Sequence, residues 1–177
     1  MKRRALCTAA VGALVLTGCS DTGQSVKFGE KATVEGDKSG TVGVTVERVE
    51  KGDNADLSGL ENPEKYKGKT PFYVRYKLTK TAEGNGNDAS SHFEVSKDGK
   101  RLTELMVFTS FDTTGDPSNP LVVRAFERCE GAGHTKYEEA AEGQSVEGCA
   151  IYLAEGSGAP STVTWTRHNK TLATWKE

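Results

Sequence analysis

The stretch Phe72-Tyr73-Val74-Arg75-Tyr76-Lys77-Leu78 decides the fold class. Phe72, Val74, Tyr76 and Leu78 share one phase; Tyr73, Arg75 and Lys77 share the other. Side chains of a strand point alternately to opposite faces, so this period of two describes a strand with one face in a core. A helix would need apolar positions three and four residues apart. The same period recurs along the chain. Val42, Val44 and Val46 alternate with Gly43, Thr45 and Glu47, and Phe93 and Val95 with Glu94 and Ser96. Val163 and Trp165 alternate with Thr162, Thr164 and Thr166. Residues 31–34, 121–125, 149–153 and 172–175 add further runs, and 105–111 is a more continuous apolar run that reads as a strand covered on both sides. The total is about nine strands.

The breakers agree. Pro63, Pro71, Pro117, Pro120 and Pro160 fall between these runs or at their starts, where a missing amide donor does least harm. Asp98-Gly99 is a hairpin signal, and residues 83–88 form a longer turn. Two short helical turns are expected. Asn62-Pro63 offers an N-cap followed by proline, and Thr135-x-x-Glu138 matches a capping box. Many short strands joined by tight turns predict an all-β chain folded as an antiparallel β-sandwich, with a closed barrel as the alternative.

Composition excludes one class of partner. The 177 residues carry 23 Lys or Arg against 25 Asp or Glu, a net charge of −2, whereas gripping nucleic acid needs a basic face. The amino end is an address. Lys2, Arg3 and Arg4 precede a small-residue apolar run over 5–16, too short for a bilayer span of roughly 20 residues. It ends in Leu16-Thr17-Gly18-Cys19, which resembles the lipobox of bacterial lipoproteins. The resemblance implies cleavage before Cys19 and a diacylglycerol on its thiol, hence a signal peptide over 1–18. Residues 19–25 would then be the lipidated cysteine and a polar spacer, and 26–177 a single domain. The processed chain of 159 residues has 20 Lys or Arg against 25 acids, a charge of −5. An acidic body of this kind leaves anchoring to the acyl chains.

Of the four cysteines, Cys7 leaves with the signal and Cys19 takes the lipid. Cys129 and Cys149 remain, and export places them where a lone pair bridges. Closing a loop of this length is worth about 3 kcal/mol in the chain-entropy model. A metal pair is the alternative, but the nearest histidine, His134, does not fit zinc spacing. The absence of a C-x-x-C makes the bridge a clamp and not a redox centre.

Residues 68–80 and the pattern Cys129, Gly148-Cys149-Ala150-Ile151-Tyr152-Leu153, Pro160 and Val163-Thr164-Trp165 carry a wider likeness. With the lipobox, they resemble small secreted actinobacterial lipoproteins with a telokin-like, immunoglobulin-like β-sandwich, over most of 26–167. The resemblance implies that fold and a surface location, and no activity. Both tryptophans lie after the second remaining cysteine, so the Cys-Trp-Cys packing of antibody domains does not carry over.

His92, His134 and His168 lie more than five residues apart, and methionine is scarce, so copper or zinc handling is not expected. Gly156-Ser157-Gly158 is not a nucleophile elbow. Asp53-Asn54-Ala55-Asp56 and the 112–116 segment are oxygen-rich but do not match a calcium loop, and read as ordinary turns. Glu138, Glu139 and Glu142 read as one solvated face. No catalytic set and no cofactor are expected. The best surface candidate is Tyr73 with Arg75, an aromatic flanked by cations on the outward phase. The expected role is a lipid-anchored, non-catalytic binding module on the outer face of the cytoplasmic membrane. It would meet a cell-envelope protein or small ligand through loops at 53–70, 83–91 and 112–120. The alternative is a receptor for a small solute or metal, with a pocket between the sheets lined by Trp165 or Tyr76.

Overall fold

The computed structural model describes residues 23–35, 40–60, 62–81, 93–106, 110–112, 122–124, 128–132, 134–156 and 158–177. Cys19, His92, Ser157 and the loops 83–91 and 113–120 lie outside the described residues. The strands are β1 (Gln24–Lys27), β2 (Lys31–Glu35), β3 (Thr41–Lys51), β4 (Lys69–Lys80), β5 (Phe93–Lys97), β6 (Lys100–Arg101), β7 (Thr103–Glu104), β8 (Ser110–Asp112), β9 (Val122–Arg124), β10 (Ser145–Glu155), β11 (Thr162–Arg167) and β12 (Lys170–Lys176). One short helix, α1 (His134–Glu139), and two 3-10 turns, Asn54–Gly59 and Pro63–Tyr66, complete the described elements.

Ten strands form two five-stranded sheets. The first has the order β1-β12-β11-β5-β6 and the second β2-β3-β4-β10-β7; β8 and β9 pair separately. The fold is a two-sheet β-sandwich. Its core comes from the phase that the sequence assigns to it. Val42, Val44 and Val46 on β3 and Val74, Tyr76 and Leu78 on β4 face Phe93, Val95, Val163, Trp165, Ala173 and Trp175 of the first sheet. Phe93 is the hub, with its ring centroid 4.8 Å from Tyr76, 4.9 Å from Trp165 and 6.3 Å from Trp175. The Trp175 indole donates to the Glu30 carbonyl at 3.0 Å and the Tyr152 hydroxyl to the Phe93 carbonyl at 2.8 Å, so these polar tips are buried with partners. The space expected to hold a pocket between Trp165 and Tyr76 is filled by the Phe93 ring, tilted against Tyr76 and edge-on to Trp165, and all three residues are only 3% exposed.

Asp98-Gly99 forms the expected hairpin between β5 and β6, both residues at positive φ (50° and 74°), as a primed two-residue turn requires. His168-Asn169 makes an equivalent turn between β11 and β12, at φ 47° and 61°.

Four expectations need correction. The sandwich is not wholly antiparallel, because β1 pairs parallel to β12, Gln24 opposite Ala173 through Lys27 opposite Lys176. That strand begins at Gln24, inside what reads as spacer over 19–25, and it escapes the periodicity because Val26 alone of its residues turns into the core. Next, 105–111 is not one strand. β7 ends at Glu104, Leu105 and Met106 are non-strand with Met106 68% exposed, and β8 begins at Ser110. Apolar content without alternation does not specify pairing. Thr135 is no cap either, since α1 already starts at His134. Finally, Asn62 takes a left-handed backbone (φ 57°) and makes no side-chain cap bond, although Pro63 opens its 3-10 turn as expected.

Candidate functional site

The outer face of the second sheet is the most elaborated surface among the described residues. Outward positions of β4 and β10 carry Tyr73, Cys149 and Ile151, which form a second apolar cluster with Cys129, backed by Leu105. This cluster lies on the far side of the sheet from the main core. It exists because the Cys129–Cys149 disulfide, with Cα atoms 5.1 Å apart, ties the 128–132 segment onto β10.

Tyr73 sits at the centre and is 1% exposed. Its hydroxyl donates to Asp56 Oδ2 at 2.9 Å. Two guanidiniums lie near its ring, Arg128 at 5.5 Å and Arg75 at 5.9 Å from the centroid, which is cation–π range. Arg128 also pairs with Asp56, and Arg75 donates to the Arg128 carbonyl at 2.8 Å. Asp56 is placed by a capping box. The Asp53 carboxylate accepts from the Ala55 amide at 2.9 Å, and Asp56 accepts from the Asp53 amide at 2.8 Å, closing the turn Asn54–Gly59. Gly52 leaves the room, since a Cβ there would lie 2.5 Å from Tyr73 Cε2 and 2.7 Å from Asp56 Oδ2. Two segments far apart in sequence, 52–59 and 128–132, are thus latched to one strand.

The electrostatics fit a latch. Burial drives the Tyr73 hydroxyl well above its ordinary value, and the Asp56 charge adds to this, so the phenol stays a neutral donor. Burial also pushes the Asp56 carboxyl up, but the Asp53 amide, the Tyr73 hydroxyl and Arg128 together outweigh it and hold the group below its ordinary value.

Beside the latch the face is charged and open. Lys77 lies between Glu47 (2.6 Å) and Glu147 (3.4 Å), across three strands, and Glu47 foremost raises its pKa. Arg75 pairs with Glu50 at 3.1 Å and Arg48 with the same carboxylate at 2.6 Å. The Arg48 hydrogen bond, and then the Arg75 one, hold Glu50 below its ordinary value against the effect of burial. Lys77, Arg75, Glu47 and Glu147 line a groove of about 650 Å³ together with Glu130 of the 128–132 segment and Lys136 of α1, which are both exposed.

Of the residues singled out in the sequence, Cys129 and Cys149 are joined. Tyr73 and Arg75 do share a face, but the expectation of a solvent-facing ring does not hold: the tyrosine is sealed under the latch, and Arg75 alone reaches the groove. Asp53 and Asp56 form a capped turn, as the ordinary-turn reading has it. Glu138 and Glu139 are exposed on α1, and His168 is a turn residue. Sequence reasoning missed Arg128, Gly52 and Glu50. The adjacency of Arg128 to Cys129 was the available signal, because a bridge to β10 must carry the arginine onto the same face. Among the described residues, no group of three or more His, Cys, Asp or Glu could hold a metal ion, and no helix is long and apolar enough to cross a membrane.

No protein-family model and no curated protein matches the chain. In structure it is similar to MPT63, a secreted protein of Mycobacterium tuberculosis, with a TM-score of 0.52 and 13% identity over 89% of this chain and 100% of that one. At that identity, what the two share is the fold of a small β-sandwich.

Proposed function

We propose that this chain is a non-catalytic binding module, held outside the cytoplasmic membrane by acylated Cys19, that meets a protein of the cell envelope on the outer face of its second sheet. One observation carries the reading. Lys77, Arg75 and Glu50 on the sheet, and Asp56 on the turn packed over it, are each committed to an opposite charge beside a groove that stays open to solvent. Paired charges held in fixed rows give an interface register and selectivity. General acid–base work calls instead for a group poised with a free proton or lone pair. The disulfide supports an oxidising location, and the likeness to a secreted sandwich agrees with it.

Two experiments test the reading. In Cys19→Ala the precursor should lose its acyl mass and its partition into the detergent phase; unchanged partitioning overturns the anchor. Crosslinking on intact cells should trap an envelope protein with the wild-type chain and lose it in Lys136→Glu. A crosslinking pattern identical in both overturns the groove as its seat. The second reading, a receptor for a small polar solute, rests on the groove's size, which lies in the range of ligand sites. A solute that raises the melting temperature of the wild type but not of Lys136→Glu would favour it.

A further inference from the structure

The opposite side of the molecule has a different chemistry. The strands of the first sheet and its two hairpin turns carry seven Lys or Arg against two acids, Glu94 and Asp98. The strands of the second sheet also carry seven Lys or Arg, but against six acids, so the first sheet holds the excess of positive charge in a chain that is acidic as a whole. Glu94 is engaged by Arg101 at 3.0 Å. Lys27 and Lys176 are register partners across the parallel β1–β12 pair. With Val26 and Trp175 in the core, both lysines turn outward. Neither has an ion pair among the described residues. Like charges set side by side on adjacent strands repel, so this edge is unfavourable in isolation and relieved by an anion. A groove of about 870 Å³ runs along it, lined by Ser25, Asn169, Lys170, Thr171, Thr174 and Lys176, hydroxyls and ammonium groups with no carboxylate among them.

The second observation is independent. Gly23 is pressed against the beginning of β12, where a Cβ would collide with the Leu172 and Thr171 carbonyls. The chain therefore enters the fold beside Lys170. Cys19 is four residues earlier, and four residues span at most about 14 Å. Whatever holds Cys19 holds this edge close by.

We propose that the outer face of the β1–β12 edge, with the hairpin tip at His168 to Lys170, seats on the anionic headgroups of the bilayer that holds Cys19. The outer face of the second sheet is then presented away from the membrane. The inference rests on the lipid-anchor reading and adds to it which face the anchor draws down. It also refines the expectation from net charge, because an acidic chain can still turn a basic face to a bilayer.

The test uses the processed protein as isolated from membranes. It is reconstituted into phosphatidylcholine vesicles and into mixed phosphatidylglycerol–phosphatidylcholine vesicles, treated with an impermeant amine reagent, and read lysine by lysine by mass spectrometry. Labelling of Lys27, Lys170 and Lys176 should fall roughly fivefold or more in the anionic vesicles, the factor set by about one lysine–surface contact. High salt should restore it. Lys65 and Lys67, exposed on the far side of the molecule, should label equally in both. Equal labelling of the three edge lysines in both vesicle types overturns the seat. Protection by inorganic phosphate in neutral vesicles, to the same extent, overturns the bilayer as its ligand in favour of a free anion. Failure to float with neutral vesicles would overturn the anchor instead, and the lysine contrast on anionic vesicles still decides the seat.

Discussion

The outer faces of the two sheets were built from the same alternation and ended differently. On the second sheet, outward positions of β4 and β10 hold Tyr73, Cys149 and Ile151, each 6% exposed or less. On the first sheet, the outward positions of β11 are Thr162, Thr164 and Thr166, all half-buried. A strand whose two phases are both apolar or sulfur-bearing needs cover on both sides, and the disulfide segment with the turn Asn54–Gly59 supplies it. A strand whose second phase is threonine needs none, since the β-branched methyl suits the pleat and the hydroxyl meets water. The identity of the outward residues, more than the period itself, decides whether a sheet face becomes a second core or a free surface.

The comparison breaks first at the disulfide. Cys129→Ser should destabilise the fold by about 2–5 kcal/mol, because it frees the unfolded chain and lets Arg128 leave Tyr73 and Asp56. Ile151→Ala, beneath the same cover, should cost about 2–5 kcal/mol as a buried large-to-small change. Calorimetric melting of each variant beside the wild type is the check. A melting temperature unmoved by Cys129→Ser would mean that the outer cluster contributes no cooperative stability.

A smaller effect sharpens the latch. Asp56 titrates below the ordinary aspartate value of 3.8, so the folded state binds fewer protons there than the unfolded chain. The stability this supplies is complete above the ordinary carboxylate range and is lost as pH falls through the lowered folded-state value. Asp56→Asn removes that pH-dependent part. Its cost near neutral pH should be on the order of 1 kcal/mol, since the Arg128 arm is 56% exposed and water screens the pair. Denaturant titrations at neutral and acid pH test this. Wild type and variant should differ near neutrality and converge in acid, and a constant gap would remove Asp56 from the latch.

Much of this was legible in the sequence. β3, β4, β5, β10, β11 and β12 follow from alternation, and the disulfide follows from export and the count of remaining cysteines. The phase of Tyr73 was legible too. Its exposure was not, because its cover comes from Asp56, 17 residues earlier, and Arg128, more than fifty residues later. Alternation reports which residues share a face and is silent on what folds over it. β1 was invisible for a related reason. An edge strand paired only to β12 needs a single inward residue, Val26, and one apolar position sets no period. The charge of the first sheet was hidden by averaging, since net charge sums over faces that only the topology separates.

The smallest expected effect is the most discriminating. Thr164 lies opposite Thr174 on β12 and Glu94 on β5, in the middle of the open face. Its inward neighbours Val163 and Trp165 hold the strand in the core, so removing its hydroxyl and methyl takes away only a cross-strand contact with water on the other side. Thr164→Ala should therefore change stability by about 0.5 kcal/mol or less, the scale of a cross-strand pair or a surface substitution. Ile151→Ala is the matched change on the other sheet, an outward residue of a central strand. If the two substitutions cost the same in paired denaturant melts, the first sheet's outer face must be covered as the second is. The contrast between the faces would then be lost, and with it the open basic surface of the first sheet.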